Sequence, residues 1–158
     1  MSDPFELVAR GDLDGLRSAL AHDPGLVQAR HASGASLVAW AAYMGNAGAV
    51  AAIRSRLGQL DPHEAIILRD GAGLEAALAG GWDANALSPD GFTPLSLAAY
   101  FENAEAFDLL LPLTRDVNAS ARNPQQVAAL HAACARRNAS MAERLLLAGA
   151  DPNQAQAE

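Results

Sequence analysis

The sequence predicts an all-α fold made of pairs of short antiparallel helices, repeated about five times. Three observations predict it. Just over half of the 158 residues are apolar, alanine dominates them, and aromatic residues are scarce. That composition fills the narrow gaps between short helices better than the interior of a sheet sandwich. The chain also repeats itself. Asp3-Pro4-Phe5-Glu6 and Asp61-Pro62-His63-Glu64 stand 58 residues apart, as do Gly15-Leu16 and Gly73-Leu74. Gly34 and Gly91, Ala41-Ala42-Tyr43 and Ala98-Ala99-Tyr100, and Asn46 and Asn103 stand 57 apart. A unit of two helix pairs is therefore duplicated, with one residue lost between the copies. Finally, the turn inside each helix pair can be followed along the chain at Gly11, Gly45, Arg69, Glu102 and Arg137, in steps of 34, 24, 33 and 35 residues.

The elements follow from these positions. Asp3 and Asp61 each read as a helix N-cap, with proline at the first helical position and glutamate three residues after the cap. The short 24-residue step falls at Arg56-Leu57-Gly58-Gln59-Leu60-Asp61, so no hairpin is expected between residues 54 and 61 and two helices should join directly. In the fourth pair the first helix is predicted from Thr93 to about Phe101, with Pro94 in its first turn. The second should run from Asn103 to about Leu111, where Pro112 ends it. Thr114 replaces the usual C-cap glycine, so the exit should be irregular. Residues 119–127 carry extra polar residues and predict a long, mobile loop.

The fourth and fifth pairs carry a recognisable motif. Residues 90–118 read DGFTPLSLAAYFENAEAFDLLLPLTRDVN, and a second copy follows as Leu130-His131-Ala132-Ala133 and then Leu145-Leu146-Leu147-Ala148-Gly149-Ala150-Asp151-Pro152-Asn153. This pattern resembles the ankyrin repeat, and three of the four steps lie near its 33-residue period. The resemblance implies one ankyrin-repeat solenoid over residues 1–158, with β-turn fingers and repeats at about 3–30, 31–60, 61–86, 87–119 and 120–153. It also implies that the chain binds another protein and carries no chemistry of its own. His131 falls where the family has a helix-start histidine that bonds backbone and neighbouring repeats. Trp40 stands where the family has a buried leucine, and Trp82 is placed to prop a finger. Arg144 is a polar residue at a usually apolar position. With Leu145 to Leu147 beside it, the last repeat is expected to be a weak cap or to have lost a following repeat.

Composition excludes several classes. The formal net charge is −7, there is no lysine, and the arginines are scattered in sequence, which argues against nucleic acid. No apolar stretch is long enough to span a bilayer. The start of the chain lacks the basic and apolar runs of a signal peptide, and one cysteine, Cys134, permits no internal disulfide. These features point to a cytoplasmic protein, bacterial in character. Cys134 is expected to be a buried, inert thiol. The four histidines lack metal-site spacing, Gly71-Ala72-Gly73 lacks the rest of a phosphate loop, and no nucleophile elbow is present. No catalytic residue, cofactor or metal is assigned, and the chain is not expected to be an enzyme.

The binding face is the remaining question. In the ankyrin architecture partners touch the fingers and the last residues of each first helix. Those residues here are Tyr43 and Met44, Ile67 and Leu68, Tyr100 and Phe101, with Arg136 at the end of the series and Phe92 on a finger. An exposed stripe of Tyr, Phe and Met flanked by Arg has the composition of a binding hot spot. A dedicated regulator or inhibitor of one enzyme is an alternative, as is a self-associating element that pairs through its last repeat.

Overall fold

The computed structural model describes residues 2–155, and they form ten α-helices and no strand. The chain divides into two compact units, residues 1–60 and 61–158. The first unit holds α1 (Pro4–Ala9), α2 (Leu13–His22), α3 (Leu37–Tyr43) and α4 (Ala47–Arg54). The second holds α5 (Pro62–Ile67), α6 (Gly71–Ala79), α7 (Pro94–Tyr100), α8 (Ala104–Leu110), α9 (Ala129–Ala135) and α10 (Ala139–Leu147). Short 3₁₀ turns follow α2 and α8. First helices pack on first helices, α1 on α3, α5 on α7 and α7 on α9; second helices pack likewise, α2 on α4 and α6 on α8.

Helices this short are marginal alone, so their ends must be satisfied locally. Each second helix is capped the same way. The side chains of Asp12, Asn46, Asp70, Asn103 and Asn138 accept from the N–H of Gly15, Ala49, Gly73, Ala106 and Met141. The residue before each cap is the tracked turn, and all five are left-handed: Gly11 at φ 72°, Gly45 at 67°, Arg69 at 60°, Glu102 at 51° and Arg137 at 55°. Among the first helices, Asp61 and Glu64 close a reciprocal capping box, and Asp3 accepts from the N–H of Phe5.

The duplication is visible as bonds. Asn46 Nδ2 donates to the Val8 carbonyl at 3.3 Å, and Asn103 Nδ2 donates to that of Ile66 at 2.9 Å. In each case an asparagine cap reaches back to the preceding first helix of its own unit. The cores are equivalent too: Leu16, Leu20, Leu37 and Ile53 are fully buried in the first unit, as are Ile66, Leu74, Leu97, Phe107, Leu110 and Leu145 in the second.

Fingers form where the turn chemistry allows them. His31 N–H donates to the Ala35 carbonyl at 2.9 Å, and Ser88 N–H to that of Phe92 at 2.8 Å. The third finger is closed by Ala121 N–H on the Val127 carbonyl at 2.8 Å, two residues wider than the others. The extra polar residues before Val127 account for the added width. Between α4 and α5, backbone bonds from residues 55–57 run only back onto the end of α4. No hairpin forms there among the described residues. Pro112 ends α8 as its missing N–H requires; Leu111–Leu113 is a 3₁₀ turn, and the Thr114 hydroxyl donates to the Leu110 carbonyl at 2.8 Å in place of a glycine cap.

Candidate protein-binding face

Where the first helices of the second unit end, three repeats are tied together by side chains. Arg69 donates from Nη2 to the carbonyls of Phe101, at 2.9 Å, and Glu102, at 3.2 Å. Arg136 pairs with Glu102 at 3.6 Å and lies over the Tyr100 ring, 5.4 Å from its centroid. Tyr100 and Phe101 meet edge to face with centroids 5.1 Å apart. Tyr100 is 36% exposed and Phe101 is half-buried. The pattern therefore brings Tyr100, Phe101 and Arg136 together, and adds Arg69 and Glu102. From sequence Arg69 and Glu102 mark only turns; in the structure the Arg69 side chain reaches the backbone of the next turn, and the Glu102 carboxylate reaches Arg136.

Not every predicted residue joins this face. Ile67 is only 7% exposed and belongs to the core, which corrects its place on the stripe. It lies on the inward side of the last turn of α5, beside fully buried Ile66. Leu68 is half-buried at the C-cap of the same helix. Phe92 is half-buried rather than freely exposed, and its carbonyl and N–H close the finger onto Ser88. In the first unit, Tyr43 ends α3 half-buried and Met44 follows it 47% exposed. Cys134 is exposed, not buried as the sequence suggested.

The remaining polar groups are structural. His131 accepts from the Ala128 N–H at 3.0 Å through Nδ1 and donates to the Gln154 carbonyl at 2.8 Å through Nε2, which fixes its tautomer. His63 reaches the Ala86 carbonyl at 2.7 Å, and Trp82 packs on its ring edge to face at 5.3 Å. Both histidines thus reach a carbonyl 23 residues downstream. In the first unit Trp40 stacks on His31 at 4.1 Å and meets Phe5 edge to face. Trp40 is half-buried, with its indole Nε1 buried and unbonded.

Loop asparagines stitch successive repeats. Asn85 donates to the Leu113 carbonyl at 3.0 Å and accepts from the Arg115 N–H at 2.9 Å. Asn118 repeats this with the Gly149 carbonyl and the Asp151 N–H. Beside them Arg115 pairs with Asp83 at 3.3 Å. The Asn85 N–H, and then Arg115, hold the Asp83 carboxyl below its ordinary value. These loops border an open cleft of about 530 Å³, lined by Asn85, Leu87, Thr93, Arg115 and Arg122 among others. The cleft mixes polar and apolar walls, and none of Tyr100, Phe101 or Arg136 lines it.

Helix pairs with bonded fingers, and no strand among the described residues, define a helical-repeat fold. A sequence model of ankyrin repeats in three copies matches residues 62–156, and the chain belongs to the ankyrin repeat family. No curated protein matches the chain in sequence. Among solved structures it is similar to the crystal structure of the human ASB11 ankyrin repeat domain, at 21% identity and a TM-score of 0.52, over 99% of this chain and 88% of that one. That likeness concerns the fold. No helix among the described residues is long and apolar enough to cross a membrane.

Proposed function

We propose that the chain is a non-catalytic module that binds another protein through the first-helix ends of its second unit, centred on Tyr100, Phe101 and Arg136. Ankyrin repeats are in general protein-interaction modules, and one observation carries the choice of face. An exposed tyrosine is held edge to face by a phenylalanine and covered by an arginine that a glutamate fixes in place. Preformed aromatic and arginine groups lose little entropy on contact, and that is why they dominate interface energetics. The proposed setting is a bacterial cytoplasm, in keeping with a single free cysteine and a chain whose cations are all arginine.

A photoreactive phenylalanine derivative tests the face, placed in turn at Tyr100, at Leu87 in the cleft and at Leu147. Irradiation in lysate of the source organism should give a partner adduct from position 100. Adducts from position 87 or 147 alone would move the site elsewhere.

A second reading has its own observation. Leu146 and Leu147 on α10 are 45% and 82% exposed, and such a pair invites apolar contact. Self-association through the last repeat would appear as crosslinked dimers from position 147 and as a mass that rises with concentration.

A further inference from the structure

The charge distribution of the second unit narrows what its face can hold. Residues 1–60 contain five arginines and five carboxylates, whereas residues 61–158 contain six arginines and thirteen carboxylates. The whole net charge of −7 therefore resides in the second unit. Against that background, three of its six arginines, Arg69, Arg136 and Arg137, stand at the ends of first helices. Scattered in sequence, they recur there because the repeat returns the chain to the same place. Two of the acids nearby have partners, and a third lies alongside. Glu102 is held by Arg136, Asp70 caps α6 through the Gly73 N–H, and the Glu105 carboxylate lies over the backbone of Gly71.

We infer that the partner presents an acidic segment with an aromatic or large aliphatic anchor, the anchor packing on Tyr100 and Phe101 and a carboxylate engaging Arg136 and Arg137. The inference rests on the reading of this face as the protein-binding surface. Arg136 is half-exposed, its guanidinium fixed above the Tyr100 ring. Glu102 occupies one edge of that planar fork, and the other N–H groups can take a carboxylate two at a time. Arg137 is exposed and makes no ion pair among the described residues. An acidic partner is repelled by the net charge of the unit and attracted by the arginines at this face, so charge contributes to register. A phosphate polymer would meet the same repulsion along a much greater length, without the lysines that such binding uses.

A peptide-display selection on the full chain tests this, using a random library and counter-selection on Tyr100→Ala. Enriched peptides should place aspartate or glutamate within a few residues of Trp, Phe or Leu. Synthetic copies should bind at least tenfold more weakly to Arg136→Glu, or when their acids are changed to amides. Binding to Arg122→Glu, a change in the cleft, should be unaltered. Peptides that need Tyr100 but are neutral or basic would overturn the inference and leave the face standing. Peptides indifferent to Tyr100→Ala, or no enrichment over that variant, would remove the face and the inference together.

Discussion

The turns inside the helix pairs of the first unit are Gly11 and Gly45, and those of the second are Arg69, Glu102 and Arg137, yet all five backbones are left-handed. Glycine enters that region freely, whereas a residue with a Cβ gives up about 1–2 kcal/mol there. The geometry is imposed by the cap that follows each turn, not by the residue at the turn. What differs is use. The glycines of the first unit have open space where a side chain would begin. In the second unit the same positions carry Arg69, which bonds two carbonyls of the next repeat, and Glu102, which holds Arg136 over Tyr100. At Arg69 and Glu102 the strained backbone thus carries a side chain that bonds another repeat. In the first unit these turns carry no side chain, and in the second two of them bond neighbouring repeats.

Substitutions in both units separate what they share from what differs. The largest effects should be common to both units. Leu16→Ala and Leu74→Ala, at duplicated and fully buried positions, should each cost about 2–5 kcal/mol in denaturant unfolding. A large inequality between them would mean that the duplicated cores are not equivalent. Next come the asparagines that reach back. Asn46→Ala and Asn103→Ala each remove a helix cap and a bond to a preceding carbonyl, for roughly 1–3 kcal/mol. Asn103 should lie at the upper end, since it is buried and its bond is shorter.

The turns themselves should separate the units by sign. Gly11→Ala and Gly45→Ala should destabilise by about 1 kcal/mol through backbone strain alone. Arg137→Gly should stabilise by roughly 0.5–1 kcal/mol, while Arg69→Gly should gain less because two carbonyl bonds are lost. Equal responses at these four turns, read from denaturant midpoints, would erase the distinction. The smallest effect concerns Asp83. Its depressed titration means that its contribution is present above the ordinary aspartate value, about 3.9, and is lost as pH falls through the lower folded value. The stability difference between wild type and Asp83→Asn should therefore shrink in acid. A difference that grows there would reverse the assignment.

Much of the fold was legible because it rests on patterns that repeat. The cap residues, the 57- and 58-residue offsets, Pro112 and the missing hairpin before Asp61 each carry a local mechanism that needs no neighbour. The turn at Gly11 was readable from glycine itself. At Arg69, Glu102 and Arg137 only the spacing revealed it, since neither arginine nor glutamate signals a left-handed backbone. The face was half legible. Tyr100 and Phe101 could be placed at a helix end, but burial there depends on packing, and the inward turn of Ile67 and exposure of Cys134 are tertiary facts. The bridges from Arg69 and Arg136 join residues more than thirty positions apart, beyond the reach of any local signal.

The most direct measurement pairs affinity with stability for Tyr100→Ala, using the crosslinked partner once purified. If Tyr100 works as an exposed contact, binding should weaken at least tenfold while the melting temperature and helical signal stay within error of wild type. A loss of roughly 3–5 kcal/mol of stability, as for a core aromatic, with unchanged affinity, would place Tyr100 in the core and contradict the account.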